Sequence, residues 1–496
     1  MHGDGQSDGP VVPANLPNKA SAAEVGEERG PAKGNTDSES SAGLSAGDQV
    51  SRELGRVREV ARRDRRARFT ALLHHVSRGR LGRAYWDLNP WASPGVDQVT
   101  WQEYGQRLEA NLDDLHERVQ QGRYRAVPAR RAYVPKADGR MRPLGIASLE
   151  DKIVQRAVVE VLTAIYEEDF KGFSYGFRPG RGPHQALDAL SVGITQRHVN
   201  WILDADISDF FGCLDHGWLR KFLRHRIADP RVLRLIDRWL TVGVVENGRW
   251  TTSERGSPQG ASLSPLLANV FLHYVFDLWA DHWRRTRADG DVVIVRYADD
   301  FVVGFEHEQE ARQFLADLRD RFTQFGLVLH PDKTRLIEFG RHAARRRAKR
   351  GERKPDTFDF LGFTHICAKS RNGGKFWIKR ITIAKRMRAK LHLLKTELRR
   401  RQHQPLQVQG MWLRRVVQGH LNYYAVPGNW HAVRQFRTQL TRHWLHSLRR
   451  RSQRGRRLTW VKMNQYVNRW LPPVRILHPF PNVRFAARTQ GRSPVR

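Results

Sequence analysis

Cysteine is nearly absent from this chain of 496 residues: only Cys213 and Cys367 occur, too few and too isolated for a disulfide framework or a CxxC zinc site. No apolar run approaches the roughly 20 residues of a membrane-spanning helix, and no apolar export segment stands near the N-terminus. A membrane partner is therefore not expected. Aromatic residues are missing from positions 1–50, which are rich in Gly, Ser, Ala and Pro and show no periodicity, so a disordered leader is expected over 1–50. Acidic residues almost vanish after position 340, where 4 Asp/Glu face 39 Lys/Arg.

That last deficit locates the charge of the molecule. The formal net charge is +35, yet residues 1–50 hold 3 Lys/Arg against 8 Asp/Glu, and residues 51–340 hold 44 against 39. The basic excess is confined to the C-terminal third. Like charge at that density repels itself unless a polyanion neutralises it, and a basic surface gains affinity by releasing counterions from a phosphate backbone. A solvated face or an acidic membrane surface are the rival readings. Neither accounts for Trp377, Trp412, Tyr423, Tyr424, Trp430, Trp444, Trp460 and Trp470 interleaved with the cations. Nucleic acid is the expected partner.

Periodicity orders the rest. Two basic helices are expected before Pro94 and one over 101–121, in which Leu108, Leu112, Leu115 and Val119 recur at helical spacing. A strand over 130–134 runs into Pro135, and an amphipathic helix covers 152–166. A strand over 199–203, a helix over 230–240 and a hairpin turning at Asn247-Gly248 follow. Residues 262–287 read as helical, 292–295 and 301–305 as strands, 307–325 as a helix, 341–354 as a basic loop and 358–365 as a strand. Everything after that reads as predominantly helical. The fold class is α+β followed by an α-helical region.

Tyr297-Ala298-Asp299-Asp300 stands between the two apolar strand runs. Adjacent carboxylates in such a setting need partners or a metal. On a strand they would face opposite ways, and only a tight turn would let both approach one cation. An ordinary Asp-containing turn is the bland alternative. A second acidic site, Asp204-Ala205-Asp206-Ile207, ends the strand about 90 residues earlier. Carboxylates from separate strand ends are what two-metal phosphoryl transfer requires.

The order of motifs resembles that of the bacterial group II intron-encoded reverse transcriptase/maturases. Tyr133-Val134-Pro135-Lys136 with Gly139 and Arg142-Pro143-Leu144-Gly145-Ile146 resembles the fingers segment, and Ser174 to Gly180 the next block. Asp206-Ile207 with Phe210-Phe211 resembles the first catalytic motif. Ser257-Pro258-Gln259-Gly260 running into Ser264-Pro265-Leu266-Leu267-Ala268-Asn269 resembles the template and nucleotide contact helix. The Tyr-Ala-Asp-Asp tetrad, Leu329 to Thr334 and Phe358 to Phe363 resemble the remaining palm and primer-grip motifs. Residues 412–424 resemble the maturase thumb motif, with His420 where the family usually has Trp.

The resemblance implies a right-hand polymerase with an α-helical thumb. It implies a leader over 1–50, a helical part of the fingers over 51–125, fingers and palm over 126–365, a thumb/maturase domain over 366–475 and a basic tail over 476–496. It implies that Asp206, Asp299 and Asp300, with Ile207 beside them, hold two Mg²⁺ for catalysis. Lys136, Arg142, Phe211, Gln259 and Gly260 would bind the nucleotide, Arg142 through its forked geometry and Lys136 as a point charge. Phe211, five residues after Asp206, would be the steric gate that favours deoxynucleotides. Lys333 is a candidate general acid for the leaving pyrophosphate. Arg414, Arg415, Asn422, Tyr423 and Tyr424 would bind RNA.

The implied partners are an RNA template, structured intron RNA, a DNA primer or target and dNTPs, in the bacterial cytoplasm. No cysteine follows Cys367, so no zinc-containing endonuclease is expected. Ser208 and Gly212 depart from the family's usual basic and acidic residues. A non-catalytic splicing cofactor, a defence or retron-like reverse transcriptase, and an RNA polymerase are the alternatives. Intact carboxylates, the thumb motif and Phe211 argue respectively against them.

Overall fold

Ser148 opens the central helix of the molecule by accepting from the Asp151 N–H, and apolar residues from Ile153 to Ile165 then bury one side of it through to Asp169. Elements of this kind frame three sheets in the computed structural model, which describes residues 44–135, 141–252, 255–256, 260–370 and 374–489. Among the described residues no helix is long and apolar enough to cross a membrane.

The first sheet joins β1 (Ala129–Pro135), β2 (Met141–Ile146), β4 (Val244–Glu246) and β5 (Arg249–Thr251) in the order β2-β1-β4-β5. Asn247 and Gly248 both take positive φ, +49° and +77°, as the two-residue turn between β4 and β5 demands.

The second sheet carries β3 (Trp201–Ala205), β6 (Val292–Tyr297), β7 (Asp300–Phe305) and β8 (Arg335–Glu338) in the order β6-β7-β3-β8. Strand alternation gives its two faces to two different cores. Leu203, Ala205, Phe301 and Val303 enter a core shared with the helices around 149–169, 264–286 and 308–324. Ile202, Val293, Val295 and Val302 enter another, shared with the helix Pro183–Gln196 and the C-terminal helices.

The third sheet, β9 (Phe358–Phe360), β10 (Phe363–Lys369) and β11 (Phe376–Thr382), precedes the long helices Ala384–Arg400, Leu406–Tyr424 and Trp430–Arg450. β10 runs across position 365, where a domain boundary was expected, and β11 lies in a stretch expected to be helical. The cause is Arg380, which turns inward from β11 to meet Asp188 at 3.0 Å and so breaks the apolar alternation. Three further expectations change. The helix expected over 101–121 is two, Trp101–Gly105 and Leu108–Gln120. The basic loop at 341–354 contains the helix Ala343–Lys349, whose Ala, Arg and Lys are strong helix formers. The expected leader over 1–50 gives up its last residues to the helix Leu44–Arg63, while residues 1–43 lie outside the described residues.

Candidate active site

Tyr297 pairs with Asp300 across the β6–β7 hairpin, which leaves Ala298 and Asp299 as a two-residue turn. Ala298 takes φ +56°, the positive value that a primed hairpin turn needs at its first central position. The turn brings the two aspartates to one end of the sheet. The neighbouring strand ends there too. Ala205 pairs with Phe301, so the same register carries Asp206 alongside Asp300.

Beyond Ala205 the chain changes partner. Ile207 bridges to Leu329, Ser208 N–H donates to the Val328 carbonyl at 2.9 Å, and His330 N–H donates to the Asp206 carbonyl at 2.8 Å. Ile207 is thereby buried and Asp206 half-buried. The Lys333 ammonium donates to Asp206 Oδ2. Asp204, on the same strand face as Asp206, accepts from Arg335 at 3.3 Å, and burial pushes its carboxyl up to about 6.

Asp299 is held above the ordinary carboxylate range. Burial is the main cause and the Asp206 charge adds to it, while Arg142 and Arg296 oppose it. Asp206 and Arg142 are therefore each within electrostatic reach of Asp299. Arg142 is exposed on β2, opposite Val134. Gly260 takes φ +108°, and a Cβ there would lie 3.0 Å from the Gly145 carbonyl oxygen, so this glycine lets its loop approach β2. Phe211 is half-buried on the short helix Phe210–Cys213, with its ring 5.4 Å from that of Phe210. That helix starts from Asp209 in the left-handed region, and a Cβ on Gly212 would fall 2.2 Å from Asp209 Oδ2. The acidic residue usual at position 212 in the family would thus meet an acidic side chain already there. Lys136 and Gln259 lie outside the described residues.

The thumb residues divide. Arg414, Arg415 and Asn422 are exposed on the helix Leu406–Tyr424. Tyr423 instead donates to the Leu361 carbonyl at 2.9 Å and stacks on Phe363, and Tyr424 is buried against the same ring. Tyr424, expected to bind RNA, here packs between the helix Leu406–Tyr424 and the third sheet.

The residue that the sequence reading passed over is Arg296. Its guanidinium is fully buried, donates to both oxygens of Asp277 at 2.7 and 2.6 Å, and also donates to Asn269 Oδ1 at 3.0 Å and the Ala298 carbonyl at 2.9 Å. Asn269 in turn donates to the Gly176 carbonyl at 2.7 Å. A Cβ on Gly176 would stand 2.3 Å from Ala298 N, so backbone packs on backbone at the turn. Asp277 reaches Arg296 from a π-helical turn, His273–Asp277, between Ser264–Leu272 and Leu278–Thr286. The available signal was an arginine inside the otherwise apolar strand run 292–297.

A second group of ligand-type side chains, His198, Asp291 and Glu306, lies at the far end of β6 and β7 from the turn. Asp291 already accepts from Arg197 at 3.3 Å and from the His198 N–H at 3.1 Å, and donates its own N–H to Glu306 at 3.1 Å. These contacts tie strand ends together, away from Asp206 and Asp299.

Residues 134–365 match the family described as reverse transcriptase (RNA-dependent DNA polymerase). The chain is 33% identical over 299 residues to Protein YkfC of Escherichia coli, covering 52% of this chain and 78% of that protein. It is 37% identical over 166 residues to the Group II intron-encoded protein LtrA of Lactococcus lactis, covering 33% of this chain and 27% of that protein. A Putative COX1/OXI3 intron 2 protein of Saccharomyces cerevisiae is 31% identical over 162 residues, with 32% and 19% covered. The chain thus spans most of the first relative and about a quarter or less of the other two. The match across fingers and palm, together with these relatives, shows that the chain belongs to the group II intron-encoded reverse transcriptase/maturase family, whose nucleic-acid-copying enzyme is an RNA-directed DNA polymerase.

Proposed function

We propose that Asp206, Asp299 and Asp300 hold two Mg²⁺ ions and that the site extends a DNA primer on an RNA template. The carrying observation is the tight Ala298-Asp299 turn, which sets two carboxylates beside the end of β3, where Asp206 stands. The residues fit divalent cations: Asp299 is disfavoured as an anion by burial and by the Asp206 charge, a conflict that a bound cation relieves. When bound, the ions would stabilise the charge on the attacking and leaving oxygens.

The protein's own groups supply the rest. Arg142, exposed beside the carboxylates, offers a fork of donors to a triphosphate, joined by Lys136. Lys333, which donates to Asp206, would release a proton toward pyrophosphate as it leaves. Phe211 offers neither a hydrogen-bond partner nor room for a ribose 2′-hydroxyl, which favours dNTPs. Gln259 and Gly260 would line the base and sugar.

Primer extension on poly(rA)/oligo(dT) with dTTP and Mg²⁺ tests this reading. Incorporation by the wild type and its loss in Asp299→Asn are expected. Full extension by Asp299→Asn would sink the metal assignment. Phe211→Ala should gain ribonucleotide incorporation, and unchanged sugar selectivity would refute the gate.

The intron-encoded relatives favour a second activity at the thumb: Arg414, Arg415 and Asn422 bind structured RNA of the host intron and assist its splicing. Splicing of that intron at low Mg²⁺, compared with and without protein, tests it. Equal rates would count against it.

A further inference from the structure

We propose that Phe177 is a positioning residue for the primer, its ring stacking on one of the last two bases of the strand whose 3′ end faces Asp206 and Asp299. The proposal rests on the polymerase reading above and adds a contact to it.

Phe177 has φ +56°, a conformation that a bulky residue adopts only when its surroundings force it. The surroundings do so from both sides. Gly176 before it is clamped by Asn269 and packed on the Ala298 backbone. Arg178 after it is nearly buried, forked onto Glu167 with contacts of 3.0 Å, and donates to the Lys171 and Ser174 carbonyls at 2.7 Å each. A strained residue usually fills a core or is glycine. Phe177 does neither, since 46% of it faces solvent. The cost of the conformation therefore presents an aromatic ring at the surface.

The ring lies 6.3 Å from that of Tyr297 and is tilted 44° to it, so the two are not stacked face to face. Tyr297 stands two residues before Asp299 on the same hairpin. Tyr297 and Asp300 close the two-residue Ala298-Asp299 turn, so Tyr297 adjoins the turn that carries Asp299. Through Tyr297, and through Gly176 packed on the Ala298 backbone, Phe177 is placed next to the turn that carries Asp299. Aromatic side chains bind bases by their faces without regard to sequence, which suits a primer terminus of any identity.

The test uses the full chain with a labelled DNA primer annealed to an RNA template. In Phe177→Gly the conformation is free of strain, so thermal unfolding should match or exceed the wild type. Its primer–template Kd and KM should rise about 5- to 100-fold, with KM for dTTP changed less than about twofold. Phe177→Trp should restore primer binding. Placing an abasic nucleotide at the primer's last or penultimate position should erase the wild-type advantage over Phe177→Gly at one of them. If Phe177→Gly binds primer–template as tightly as the wild type, the proposal fails. It fails also if the advantage survives both abasic primers, or disappears only when the template is abasic, which assigns the ring to the other strand. Binding is read without turnover, so a wild type that binds but does not extend overturns the polymerase reading and leaves this measurement intact.

Discussion

A guanidinium sealed from water inside a strand must be neutralised, and Asp277 neutralises Arg296 while the remaining donors reach Asn269 and the Ala298 carbonyl. Removing one member of such a pair leaves a buried charge uncompensated. Asp277→Ala is expected to cost about 3–5 kcal/mol, read as a lower denaturant midpoint. The double variant Asp277→Leu with Arg296→Met should regain most of that stability, because the charges disappear together. Its primer extension should stay well below wild type, since Ala298 loses its tether. Wild-type extension by the double variant would show that the turn needs no such support. Gly176→Ala tests the same turn from outside: a Cβ 2.3 Å from Ala298 N must push it, and extension should fall about 100-fold. At this scale the sequence was partly transparent. Carboxylates in apolar runs announce themselves, because nothing else explains their cost. The Arg296–Asp277 pair stayed hidden because it depends on which helix packs behind β6, information that no local spacing carries. The surroundings of Tyr424 were hidden for a related reason: an aromatic among arginines looks the same whether it meets RNA or fills a core.

Elements were legible where one face is apolar and the other polar. The hairpin at Asn247-Gly248 and the helices Pro230–Thr241 and Glu308–Gln324 were expected nearly to their ends. β11 was not, because Arg380 points inward and reverses its pattern. The thumb helices hold a further feature of this kind. His420 lies buried in the helix Leu406–Tyr424, stacked on Phe436 at 3.6 Å, and burial, reinforced by Lys390, pushes its pKa down to about 3. His365 in β10 is likewise pushed down to about 3, first by burial and then by Arg380, and stacks on Phe358. A base whose folded pKa is depressed gives stability that is fully present above its unfolded value near 6.5. That stability is lost as pH falls toward about 3. Acid should therefore destabilise the protein from just below pH 6.5, and His420→Phe should flatten the loss by up to about 1.4 kcal/mol per pH unit. Chemical unfolding at pH 7, 6, 5 and 4 checks this. Parallel curves for the two proteins would contradict a neutral buried His420.

For the whole molecule the charge map was the most readable property, since 39 cations against 4 anions after position 340 need no fold to be interpreted. Its arrangement did need one: Arg346 and Arg350 are spent on Glu338, and Arg380 and Arg484 on Asp188, so not every cation is available to phosphate. Arg414 and Arg415 are exposed. Their joint replacement by Ala should reduce the slope of log binding constant against log salt by about two, one counterion per lost phosphate contact. Binding isotherms to structured RNA at several salt concentrations measure it, and an unchanged slope would remove these two residues from the RNA-facing surface.

The second sheet separates two hydrophobic cores, with β3 and β7 as its inner strands. β3 pairs with β7 on one side and β8 on the other, and sends Leu203 into one core and Ile202 into the other. Local opening of either core therefore leaves β3 fastened by the opposite one. In hydrogen-exchange terms it belongs to the last unit to open, so amides of residues 202–204 should exchange only with global unfolding, well after those of the thumb helices. Asp206 thus directly follows a strand that outlasts partial unfolding, and fluctuations that free the nucleic-acid-binding surfaces can occur without dismantling that strand.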